Sequence, residues 1–167
     1  MKYEPWGSPS KYELMAAACF DKLVADLTLW SVVRTANQVT MPETLAKQAS
    51  HATSVAGAHA AVVVRGARTP ALSEELDVKG TTAKLWSCVI RVAIIVFDMG
   101  DATRATTLDA AEVQVINALH ELQADTEFSA LARDISVEAS EPIAVSAEGD
   151  RPPYAGTMVD LVALVYE

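Results

Sequence analysis

The chain has 167 residues, 51% of them hydrophobic and 21% charged, and a formal net charge of −9. That is enough length and apolar content for one domain with its own core. The acidic balance, with 13 scattered Lys and Arg, argues against nucleic-acid binding, which needs a basic face to release phosphate counterions. Two cysteines, Cys19 and Cys88, are too few for a disulfide framework and read as small buried hydrophobes. The first ten residues, MKYEPWGSPS, hold no apolar stretch of the kind a secretory signal needs, so synthesis in a reducing cytoplasm is expected.

In chain order, the first helix is expected to start at Ser8 or Ser10. Ser10 and Glu13 form a capping-box pair, and Pro9 suits a first turn. Tyr12, Ala16, Cys19, Phe20, Leu23 and Leu27 recur at helical spacing on one side, so the helix should end near Leu27. Residues Trp30 to Thr35 read as a short strand. Thr40-Met-Pro-Glu43 has the form of a helix cap, whereas Leu45 to Ala58 shows no strong period and reads as a weak helix or a loop. Ala60 to Arg65 is a second strand. Gly66 to Ala83 contains Pro70, Gly80 and an acidic group, Glu74, Glu75 and Asp77, and reads as a long, exposed hairpin connection. Residues 40–58 and 66–83 are thus the segments expected to be irregular or mobile within a single domain spanning 1–167.

The run from Lys84 to Asp98 is the strongest single signal. Between Leu85 and Phe97 only Ser87 and Arg91 are not apolar, and six of the residues are β-branched. β-Branching argues for a long strand over a helix. A membrane helix needs about 20 apolar residues, and this run is shorter and carries an arginine. Met99 to Asp101 forms a turn, and Thr103 to about Gln123 a second helix, with Leu108, Ala111, Val115, Leu119 and Leu122 on its core face. Val113, Ile116 and His120 lie on roughly the opposite side, either as scattered surface residues or as a face that packs a second time. A short helical piece follows in Ala124 to Arg133. Ile135 to Ala147 and Thr157 to Tyr166 alternate as strands around a turn-rich tip at residues 148–153. The fold class this implies is α+β: a mixed, mostly antiparallel sheet of four to five strands packed against two main helices. The strand–helix–strand passage from residue 84 to 147 should cross over right-handedly if those strands are parallel.

Motifs of chemistry are few. The chain has no G-x-G-x-x-G, no G-x-x-x-x-G-K-[ST], no G-x-S-x-G, no C-x-x-C and no H-E-x-x-H. The histidines, His51, His59 and His120, lack metal-ligand spacing. Asp98 and Asp101 flank a turn before a helix, where carboxylates commonly cap. No catalytic, cofactor or metal residue is assigned. Arg91 is different, because a charge inside an apolar strand must be paired or must face a polar or subunit interface. Asp160, in the last strand, is its candidate partner.

In this order the residues resemble the tail terminator proteins of long-tailed bacteriophages, of the lambda minor tail protein U type. Ala60-Ala-Val-Val-Val-Arg-Gly66 is similar to that family's Val-rich strand. Glu74-Glu-Leu-Asp77 followed by Lys84-Leu-Trp86 is similar to its acidic loop leading into a long strand, and Thr107 to Leu122 to the helix that follows. Asp150-Arg151 and Asp160 to Glu167 resemble its last hairpin and terminal strand. The likeness covers most of residues 10–30 and 60–167. The chain departs from the pattern between about residues 40 and 58, and lacks a proline before the Val-rich strand.

The resemblance implies a structural virion protein at the tail–neck junction, assembled in the host cytoplasm. It implies a homo-hexameric ring that caps the tail tube, stops its growth and meets the neck connector, with DNA passing through the lumen without specific binding and no contact with membrane. Candidate subunit or partner contacts are Arg65, Arg68, Lys84 and Arg91, the acidic Glu74, Glu75 and Asp77, the helical Val113, Ile116 and His120, and the hairpin-tip Asp150 and Arg151. Two other readings stand beside it: a neck or head-completion protein of related fold, and a small oligomeric α+β enzyme with an inter-subunit site using Arg65, Arg91 and Asp98.

Overall fold

A computed structural model describes residues 9–27, 31–35, 59–78, 81–97, 100–139, 143–145 and 154–167. The elements run α1 (Lys11–Asp26), β1 (Ser31–Thr35), β2 (His59–Val78), β3 (Thr81–Phe97), α2 (Asp101–Ala124), α3 (Thr126–Ser129), β4 (Asp134–Ala139), β5 (Ile143–Val145) and β6 (Tyr154–Tyr166). The architecture is α+β, with one mixed, mostly antiparallel sheet and two main helices. The sheet order is β1-β2-β3-β6-β4, and β5 pairs with β6 further along the edge that β4 occupies, so six strands fill five positions. Among the described strands only the β1–β2 pair is parallel.

The long apolar run is the third strand of this order, paired to β2 on one side and to β6 on the other. Alternation decides its two faces. Cys88, Ile90, Val92, Ile94 and Val96 point to the helices, where they meet Leu108, Ala111, Val115 and Leu119 of α2 and Met15, Cys19 and Leu23 of α1. Ala155, Val159, Leu161, Ala163 and Val165 of β6 join the same cluster. Each such fully buried aliphatic side chain contributes about 1.5–3 kcal/mol. On the other face Ala60, Ile95 and Phe97 are buried with Tyr154 packed against them, the Phe97 and Tyr154 rings 6.1 Å apart.

α1 starts as its cap residues dictate. Ser10 Oγ accepts from the Glu13 amide at 3.2 Å, while the Glu13 carboxylate turns to Arg65. The buried side is the expected one with Met15 added, and Phe20 is partly buried against it. α2 lies between β3 and β4, which both run antiparallel to β6 and therefore parallel to each other, so the passage is a crossover. Gln123 Nε2 donates to the Ile135 carbonyl at 2.6 Å, anchoring β4 to the helix. Asp125 caps α3 by accepting from the Phe128 amide at 2.8 Å.

Three expectations change. Residues 66–83, expected to be irregular, are laddered for most of their length: β2 continues to Val78 and β3 begins at Thr81, with Glu75 opposite Lys84 and Val78 opposite Thr81. Their polar composition is overridden by a partner strand of high β propensity. The expected single strand from Ile135 to Ala147 is two short strands, β4 and β5. The second apolar stripe of α2 splits: Val113 is 52% exposed and His120 is exposed, whereas Ile116 packs on the core. Residues 40–58 and the turn at 148–153 lie outside the described residues. Among those described, no helix is long and apolar enough to cross a membrane.

Candidate functional site

The β2–β3 ladder contains a bulge. Arg65 is opposite Ile90 and Arg68 is opposite Cys88, so β2 uses three residues where β3 uses two. An extra residue reverses the alternation of every residue after it. Arg65 and Arg68, of opposite parity in the sequence, therefore both emerge on the helix side, beside the start of α1. Gly66 sits in the bulge for a steric reason: a β-carbon there would lie 3.0 Å from the Val89 carbonyl oxygen. The carbonyls of Gly66 and Val89 are met by the Tyr12 hydroxyl, 3.2 Å from the first and in a shorter hydrogen bond with the second. Burial pushes the Tyr12 phenol up to about 12, with the neighbouring Cys88 adding in the same direction.

Charged groups gather around this plug. Arg65 lies over the Tyr12 ring, 5.9 Å from its centroid, and its Nη1 is 3.2 Å from Glu13 Oε1. Arg68 stacks over Trp86 at 4.6 Å and pairs with Glu167. The Glu167 carboxylate also accepts from the Tyr12 amide at 3.2 Å, placing a negative charge on the N-terminus of α1, where the helix dipole favours it. The Glu167 backbone closes on Lys84 through two hydrogen bonds of 3.0 and 3.1 Å.

Beside this cluster, the parallel pairing of β1 with β2 brings Arg34 opposite Val63. A cleft of about 360 Å³ opens there, lined by Glu13, Ala16, Arg34, Thr35, Val63 and Arg65. Among the described residues two guanidinium groups and one carboxylate line it, and the carboxylate, Glu13, pairs with Arg65. Arg34 is exposed and makes no ion pair among the described residues. Among the described residues the cleft lining has one hydroxyl, Thr35, and one carboxylate, Glu13. Its chemistry is that of an anion-accepting notch, since a guanidinium matches a carboxylate bidentately.

Arg91 lies on the opposite face of the sheet, directly across from Asp160. Its Nε and Nη2 donate to the two carboxylate oxygens at 2.8 and 2.6 Å. The expected partner is thus the observed one. The hydrogen bonds Arg91 donates to Asp160 raise the guanidinium pKa above its ordinary value. Because Arg65 faces the helices and Arg91 faces away, the two do not converge within one chain, and Asp98 lies outside the described residues. Val113 and His120 stand apart on α2. Lys84 is exposed at the edge of the Arg68–Glu167 cluster. Glu74, Glu75 and Asp77 lie on the end of β2, and Asp150 and Arg151 are outside the described residues.

Both thiols are buried and unpaired, and burial pushes Cys19 up to about 12 and Cys88 up to about 11. Among the described residues no three His, Cys, Asp or Glu side chains converge to hold a metal ion. Tyr12, Glu13, Arg34, Trp86 and Glu167 are not among the contact residues expected from the sequence. Their roles depend on the bulge and on the β1–β2 pairing, which local patterns do not encode. No protein-family model matches the chain, and no curated protein matches it in sequence.

Proposed function

We propose that this chain is a structural virion protein that forms a hexameric ring on the end of a phage tail tube, halting its growth and presenting a surface to the neck connector. The observation that carries this reading is the arrangement of the chain: an N-terminal helix, a β2–β3 hairpin, a crossover helix and a last strand set between β3 and β4. It follows the element order that the resemblance to tail terminators implies. The hairpin supports it further. Beyond the bulge β2 and β3 stay together as a long two-stranded arm, paired with an irregularity between Pro70 and Glu75 as far as Val78 and Thr81. An arm of this kind suits contact with a neighbouring subunit. Six copies of a chain of net charge −9 would let DNA pass a lumen without adhering.

The test is a polymerisation assay with tail tube subunits from the same phage. Added during tube growth, the protein should shorten the length distribution in negative-stain micrographs and leave ring-shaped caps. Tube lengths unchanged at stoichiometric excess, with binding to the connector alone, would transfer the assignment to a neck protein.

A further inference from the structure

α1 packs on the sheet with one side and turns a second apolar side away from it. Leu14 and Val24 on that side are 42% and 48% exposed, two of the three large hydrophobics that stand exposed among the described residues. Ala17, half-buried, and Ala25, exposed, lie between and beside them. At 3.6 residues per turn these four share one stripe with Lys11 and Asp21, away from the core-facing Tyr12, Met15, Cys19 and Leu23. We propose that this stripe is a contact between two copies of the chain, α1 of one lying antiparallel to α1 of the other, with Lys11 of each copy against Asp21 of the other. The inference goes beyond the ring reading and does not rest on it.

The charges of α1 single out both the occupant and its direction. Of the charged residues on this helix, Glu13 pairs with Arg65 at 3.2 Å, and Lys22 pairs with Asp26 at 2.9 Å and Glu121 at 2.7 Å. Lys11 and Asp21 remain, both exposed and without an ion pair among the described residues. They are the two charges of the apolar stripe, opposite in sign, and lie about 15 Å apart along the axis at 1.5 Å per residue. That separation is beyond a lysine's reach within one helix. Two such stripes laid parallel would set like charges against each other. Laid antiparallel about a two-fold axis midway between the charges, each lysine meets an aspartate, and Leu14 of each copy packs near the small Ala17 of the other. A two-fold contact of this kind uses the same patch on both partners and stops at two copies. It therefore joins free subunits in pairs, or one ring to another, and leaves the head-to-tail contacts within a ring to other surfaces.

Sedimentation velocity over a concentration series tests this, with a short bismaleimide to report which positions meet. The wild-type protein should gain a species of doubled mass as concentration rises. Lys11→Asp and Asp21→Lys should each weaken that pairing about tenfold, since each replaces two attractions by two repulsions. The double variant should recover it, and so should an equimolar mixture of the two single variants. Leu14→Asp, at an exposed position, should abolish pairing with an unchanged circular dichroism spectrum. Lys11→Cys mixed with Asp21→Cys should crosslink, whereas Lys11→Cys alone should not crosslink to itself; the native thiols are buried. Pairing that neither single reversal changes, or that both weaken and the double variant does not recover, would overturn the match of these charges. Crosslinking of Lys11→Cys to itself would overturn the antiparallel arrangement. Absence of a doubled species at every wild-type concentration would overturn the contact between copies, and the ring reading would still be decided by the tube assay.

Discussion

Tyr12 reaches from the first turn of α1 into the break of the β2–β3 ladder, its hydroxyl 3.2 Å from the Gly66 carbonyl oxygen and bonded also to that of Val89. A bulge leaves backbone acceptors without ladder partners, and a buried acceptor without a donor is costly. Tyr12→Phe should therefore destabilise the protein by about 1–3 kcal/mol. Gly66→Ala should also destabilise it, since its new β-carbon would press on the Val89 carbonyl. Combined, the two should be non-additive in urea denaturation, because both act on the same bulge.

Arg91 and Asp160 form a charged pair between the central strands β3 and β6. Asp160→Ala should cost about 1–2 kcal/mol, because it leaves a half-buried guanidinium unmatched. The double variant Arg91→Met, Asp160→Leu should recover most of that loss, since a partly buried pair adds little net stability over apolar replacements. Asp160→Asn with unchanged stability would mean that the pair is energetically silent.

The alkaline limb of stability should be steep. Cys19, Cys88 and Tyr12 all hold their protons more tightly when folded, chiefly through burial. Their folded pKa values are raised, so this contribution is complete below their ordinary values of 9.0 and 10.0 and is lost as pH rises toward about 11 to 12. Above pH 9 the native state binds more protons than the unfolded one, and stability falls. Urea midpoints between pH 8 and 10.5 should decline, and a Cys19→Ala, Cys88→Ala variant should decline less steeply over the same range.

α2 offers an internal control on its two apolar sides. Val113→Asp should change stability by no more than about 0.5 kcal/mol, as an exposed substitution. Ile116→Asp should cost on the order of 2 kcal/mol, because Ile116 packs on the core. Equal effects in thermal denaturation would show that Val113 is covered in solution.

Sequence and structure agree where local pattern and tertiary packing point the same way. The β-branched run from Leu85 to Phe97 is a strand because nothing else buries it on both faces, and an arginine inside it calls for an opposite charge on a neighbouring strand. The Ser10–Glu13 pair marks the start of α1 for the same local reason. The end of β2 is not legible: Pro70 and the acidic residues beyond it have poor strand propensity, and it is pairing with β3, broken after Pro70 and resumed at Glu75, that carries the strand on to Val78. The cleft was not legible either. Arg34 and Arg65 are 31 positions apart, and it takes a parallel β1–β2 register to set them side by side.

The two cysteines have a practical consequence. They are the only thiols in the chain, and both are buried with their protons tightly held. Thiolate reagents and dissolved oxygen act on the ionised, accessible form. The native protein should therefore be indifferent to maleimides at neutral pH. A cysteine placed at position 34 or 75 would then carry a fluorophore or a crosslinker alone, in an otherwise unaltered background, and distances between copies become directly measurable.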